Sequence, residues 1–145
     1  PLTVLLGTTD RTLVVFRNGI EIGRVPVTAE GLPPLGTLAF VLLAGTKPEP
    51  SIVLPDQPAL RWLLLQAGTS TAAASADALR EALRSGQLVI PTAFARQLYE
   101  LMQPGTTVVV TDEVLAPSAG IDVLDSEEGA ALPAPMPMPI AEPAQ

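Results

Sequence analysis

The chain has 145 residues, room for one domain, and a hydrophobic fraction of 48%, ample for a real core. Aromatic residues make up only 3%, so that core must be built from Leu, Val, Ile and Ala, and neither a sugar platform nor a base-stacking surface is expected. Lys+Arg 8 against Asp+Glu 15 gives a net charge of −7 with scattered arginines, which disfavours a nucleic-acid partner.

The absence of Cys removes disulfides, thiolate nucleophiles and Cys-based zinc or iron–sulfur sites, and the absence of His removes the commonest general base. The longest apolar-rich stretch, residues 38–44, is far shorter than the roughly 20 residues that a membrane-spanning helix needs. No membrane-spanning segment is expected. The chain opens at Pro1, which reads as a processed piece that has lost a signal sequence or N-terminal anchor.

Residues 2–6 and 12–16 are aliphatic and β-branched, with Gly7, Thr8, Thr9 and Asp10 between them, and predict two strands joined by a tight turn. Asn18-Gly19 then predicts a type I′ turn, because both residues tolerate positive φ and the turn's twist matches that of paired strands. Ile20, Ile22, Val25 and Val27 loosely alternate with Glu21 and Arg24, predicting a third, half-buried strand of the meander, kinked near Gly23.

Pro33 and Pro34 make residues 30–36 a loop, and residues 37–43 resume as a buried strand. From 45 to 58 the recurrence of Pro48, Pro50, Pro55 and Pro58 reads as mainly connection, with a short apolar island at 52–54 that fits a strand pairing at a sheet edge. Residues 59–65, around Trp62, fit a strand or a helical turn, and the strand is preferred.

Ser75 as a cap, Asp77 in the first turn and Leu79, Ala82 and Leu83 on one face predict a short helix over 75–84. Gly86 breaks it, residues 88–90 are briefly extended, and Pro91-Thr92 opens a second helix with Phe94, Leu98, Leu101 and Met102 on one stripe. The β-branched run 106–111 predicts a strand, and residues 121–124 one more at an edge. After Ser126 the Glu, Ala and Pro-Met composition lacks bulky apolar surface, so 126–145 is expected to be a disordered tail following a β-rich domain over 1–125.

The chemistry left open by composition is Ser or Thr with Lys, or paired carboxylates. Lys47, the only lysine, lies in the Pro-rich region with no Ser-x-x-Lys spacing and reads as a solvated loop residue. Asp112 and Glu113 follow a strand, but adjacent strand residues point to opposite faces, so they read as a solvated turn. Asp122, Asp125, Glu127 and Glu128 lack the glycine-centred pattern of a calcium loop, and no metal or cofactor is expected. Residues 31–36 are not a phosphate cradle, since prolines supply no amide donors, and Trp62 beside Arg61 reads as core.

Several local strings, spread over 2–124, resemble the L,D-transpeptidase (YkuD-like) catalytic domain, the bacterial family that cross-links peptidoglycan through an acyl-cysteine intermediate. Residues 12–19, Thr-Leu-Val-Val-Phe-Arg-Asn-Gly, resemble its opening hairpin. Pro34, Leu35, Gly36, Thr37 and Phe40 resemble its Thr-Pro-x-Gly-x-Phe loop and strand, with Pro33 at the threonine position. Gly86, Ile90, Pro91, Phe94, Ala95, Gly105 and Thr106 match the stretch that in active members reads His-Gly-Cys-Ile-Arg-Leu-Pro, an Ala-Phe-Ala helix, then Gly-Thr and a Val-rich strand.

Here Ser85 stands where that motif has histidine, Gln87 where it has the nucleophilic cysteine, and Val89 where it has arginine. A glutamine amide is no nucleophile and no base remains to activate Ser85, so no catalytic residue is carried over. The resemblance implies a mainly β fold with two short helices (α+β) of the L,D-transpeptidase-like β-sandwich or barrel kind. It further implies a catalytically inactive domain of the periplasm or cell envelope, with Ser85, Gly86 and Gln87 as the degenerate substrate-binding site and peptidoglycan or an envelope protein as partner. Two other readings stay open: an unrelated β-rich protein-interaction module, and an enzyme using Ser or Thr with a carboxylate.

Overall fold

The structure is a computed structural model and describes residues 1–65 and 70–114. All its elements lie in the first of two units, Pro1–Glu113; of the second, Val114–Gln145, only Val114 is among the described residues. The expected strand at 121–124, the 125/126 boundary and the tail lie outside them.

Strands β1 (Leu2–Gly7) and β2 (Thr12–Arg17) pair antiparallel, and β2 passes through Asn18 and Gly19 into β3 (Ile20–Pro26). Asn18 has φ 52° and Gly19 φ 80°, the two left-handed positions that a type I′ turn requires. The β2–β3 ladder slips at the expected kink: Val15 faces Gly23 and Phe16 faces Glu21, leaving Ile22 as the extra residue of a bulge. After Val27 come β4 (Thr28–Ala29), the loop 30–36, and a long hairpin of β5 (Thr37–Pro50) and β6 (Pro58–Leu64). Helix α1 (Ser70–Ser85), β7 (Leu88–Val89), α2 (Thr92–Leu101) and β8 (Thr107–Thr111) follow.

The main sheet has the order β3-β2-β1-β8-β5-β6, with β8 parallel to β1 and antiparallel to β5, and β4 pairs with β7 in a two-stranded ribbon. An unbroken Val108-Val109-Val110 suits a central strand, because apolar side chains there are needed on both faces. One face of the sheet, carrying Val4, Leu6, Leu13, Val15, Leu38 and Val110, joins Leu79 and Ala82 of α1, Leu98 of α2 and Leu88 of β7 in the core cluster. Burying each of these Leu or Val side chains contributes about 1.5–3 kcal/mol. Small residues on α1, buried at Ala72, Ala76 and Ala82, let that helix approach closely.

The expected mainly β chain with two helices is what forms, and five local expectations are corrected. Helix α1 starts at Ser70 and not at Ser75, because Ala72, Ala73 and Ala74 carry the highest helix propensity and extend it by more than a turn. The Pro-rich stretch is not mainly connection: β5 continues through Pro48 and Pro50. Its outer half pairs only at Thr46↔Leu60 and Pro50↔Pro58, with register shifts between, and such an interrupted ladder tolerates prolines. The island at 52–54 is not a strand but the hairpin's loop, closed by Ser51 N–H to Gln57 O (2.8 Å) and Gln57 N–H to Leu54 O (2.9 Å), with Leu54 buried beneath it. Lys47 is exposed, within β5 instead of a loop, and Trp62 is half-buried opposite Leu42 of that hairpin instead of deep in the core.

The hairpin also holds α2 in place. Arg96 pairs with Asp56 at 2.9 Å and the Tyr99 hydroxyl donates to the Pro58 carbonyl at 2.8 Å.

Candidate functional site

Ser85 is the last residue of α1, and Gly86 follows with φ 86°, the left-handed conformation in which glycine ends a helix without Cβ strain. The chain thereby reverses into Gln87 and β7. The Gln87 side-chain amide donates to the Gly31 carbonyl at 3.2 Å, and the Gln87 backbone carbonyl accepts the Glu30 N–H at 2.9 Å. The pairs Ala29↔Leu88 and Thr28↔Val89 continue this contact as the β4–β7 ribbon. Ser85 Oγ lies 3.4 Å from the Ala82 carbonyl, a helix-end contact, and 3.5 Å from Gln87 Oε1.

The three residues singled out by sequence are therefore brought together, as an exposed polar turn clipped to the start of the loop 30–36. None of the three ionises near neutral pH, and Val89, where the resemblance would place an arginine, is a 46% exposed aliphatic residue. The turn can donate and accept hydrogen bonds, but it holds no group able to attack a carbonyl or remove a proton.

The other end of the same loop is fastened to Asp112. One carboxylate oxygen accepts the backbone N–H groups of Leu35 and Gly36, each at 2.7 Å, and the other accepts the Thr8 hydroxyl at 2.7 Å. Thr8 also donates its N–H to the Thr111 carbonyl at 2.9 Å, and the Thr37 and Thr111 hydroxyls lie 2.8 Å apart. Asp112 is thus not the solvated turn residue expected from sequence: it is half-buried and joins the ends of β1 and β8 to the loop that enters β5. Partial burial pushes its pKa up, but the hydrogen bonds from Thr8, Gly36 and Leu35 outweigh that and hold it below the ordinary value of 3.8. Sequence reasoning missed Thr8 as its partner, because nothing in a linear window links residues 104 apart.

Arg61 donates to the Ala44 carbonyl at 2.7 Å across the β5–β6 hairpin. Among the described residues no three His, Cys, Asp or Glu side chains gather as metal ligands would, and no helix is long and apolar enough to cross a membrane. A depression of about 70 Å³ lies between β3 and α2, over Gly23 and Phe94, and none of Ser85, Gly86 and Gln87 lines it. It has room for one side-chain tip, not for a peptide.

No family model, no curated protein and no solved structure matches this chain.

Proposed function

We propose that the chain is a catalytically inactive L,D-transpeptidase-like domain of the bacterial cell envelope, with that family's sandwich-like β fold, serving as a scaffold that contacts peptidoglycan stem peptide through residues 30–37 and 85–89. The observation that carries this reading is the position of Gln87. Where the resembled motif has its nucleophile, this chain has a side chain engaged with the Gly31 carbonyl at 3.2 Å. A glutamine there converts a reactive turn into a clip, keeping the loop placed while removing the chemistry. The carbonyls of the exposed Pro33 and Pro34 are acceptors that an extended peptide would meet.

Titration of the full chain with a stem tetrapeptide, followed by amide NMR shifts, and pelleting with intact sacculi test the proposal. Shifts clustered at residues 85–89 and 34–37, together with co-pelleting, are expected. Absence of both would sink the peptidoglycan reading and favour a protein-interaction module without a cell-wall role, for which the exposed Ile20, Ile22 and Leu101 speak.

A further inference from the structure

Strand β3 closes one edge of the main sheet, with β2 on one side and no strand on the other among the described residues. Edge strands are usually guarded by charges, prolines or bulges. Here Glu21, Arg24, Pro26 and the bulge at Ile22 are such guards, yet Ile20 is 69% exposed, Ile22 47% and, beside them on α2, Leu101 40%. Ile22 and Leu101 line the depression between β3 and α2. Its floor is open because residue 23 is glycine: a Cβ there would lie 3.4 Å from the tip of the Phe94 ring.

The strand is complementary to itself. Set antiparallel to a copy about a two-fold axis between Ile22 and Gly23, it brings Glu21 opposite the copy's Arg24 and Arg24 opposite the copy's Glu21. Ile20 then faces Val25, and Ile22 faces Gly23, the one position along the strand with no side chain and with a depression beneath it. Within one chain Glu21 and Arg24 already share a side of the strand, paired at 2.8 Å. The two charges can therefore exchange partners across the axis without leaving either unpaired. A C2 contact demands this kind of correspondence, in which i meets j and j meets i.

We propose that β3 is a dimerisation edge: a second copy of this chain pairs antiparallel with it about the Ile22/Gly23 axis, joining the two sheets and seating Ile22 of each copy over Gly23 and Phe94 of the other. This proposal stands apart from the peptidoglycan reading, and neither needs the other.

The test is sedimentation of the full chain across concentration, with charge-swapped variants. The wild type is expected to pass from monomer to dimer as concentration rises, more weakly at high salt because the paired charges lie at the surface. Glu21→Arg and Arg24→Glu each place like charges opposite one another at both ends of the contact, so each variant alone is expected to remain monomeric. Their equimolar mixture restores opposite signs at every position and is expected to dimerise, which also establishes that both variants are folded. Ile22→Ser is expected to raise the dimer Kd about tenfold, as loss of a buried anchor does. A wild type that stays monomeric to millimolar concentration, a dimer that survives in both single variants, or a mixture that stays monomeric overturns the proposal.

Discussion

Asp112 and Gly36 bond to each other in both directions: the Gly36 N–H donates to the Asp112 carboxylate at 2.7 Å, and the Asp112 N–H donates back to the Gly36 carbonyl at 3.1 Å. With Leu35 on the same carboxylate oxygen and Thr8 on the other, one side chain fixes where the loop turns into β5. Replacing it by Asn keeps the shape, and the NH2 group can donate to the Thr8 hydroxyl, but the neutral amide gives up the charge-assisted bonds from the Leu35 and Gly36 N–H groups. Asp112→Asn is expected to destabilise the fold by about 1–3 kcal/mol, read as a lower urea midpoint at unchanged m.

The same carboxylate makes a pH prediction. Its folded pKa lies below the ordinary value of 3.8, so it binds a proton less readily folded than unfolded. Its contribution is therefore complete above the unfolded value and is lost as pH falls through the folded one. The stability gap between wild type and Asp112→Asn should be full at pH 7 and should shrink steadily below about pH 4. A gap that stays constant down to pH 2 would refute this account of Asp112.

At the opposite end of the loop, Gln87→Ala removes the side-chain bond to Gly31 but leaves the backbone bond to Glu30. The clip is exposed, so the expected loss is about 0.5–1.5 kcal/mol, with faster amide exchange confined to residues near 30–31. Gly86→Ala acts through the backbone instead, because φ 86° strains any residue bearing a Cβ, and it should cost about 1 kcal/mol or more.

In the core, Leu38 is 1% exposed and lies beside Val110 across the β5–β8 pair. Leu38→Ala is expected to cost about 2–5 kcal/mol, the usual range when a buried Leu leaves a cavity. By contrast, breaking the exposed Arg96–Asp56 pair with Arg96→Ala should leave the thermal midpoint nearly unchanged, most clearly at high salt. A large drop there would mean that the pair holds α2 against the hairpin more firmly than its exposure suggests.

What was legible in the sequence was local. Asn18-Gly19, the kink at Gly23, the Gly86 stop and the Val-rich strand each depend on residues within a turn of one another, and each forms as its pattern requires. Ser85, Gly86 and Gln87 were singled out by the resemblance instead, although the Gly86 stop that turns the chain there is itself a local signal. The role of Asp112 was illegible because its partners, Thr8 and Gly36, are 104 and 76 residues away, and adjacency there is created by the strand order, not by spacing. The Pro-rich arm misled because proline excludes a regular ladder but not an interrupted one. The early start of α1 was hidden by Ser75, which has the chemistry of a cap but sits inside an alanine-rich helix.

The place of β8 between β1 and β5 has a consequence for synthesis. The meander β1–β2–β3 and the hairpin β5–β6 can each close soon after leaving the ribosome, since their partners are near in sequence. Nothing in the ladder joins them until β8 arrives, with Thr3 beside Thr107 on one side and Thr37 beside Thr111 on the other. β8, the last of the described strands, seals the sheet, so until residues 107–111 have emerged the two halves stay unjoined with the edges of β1 and β5 open. Such late, long-range closure makes folding slow, and those two edges are where a stalled or truncated product would stick to its neighbours.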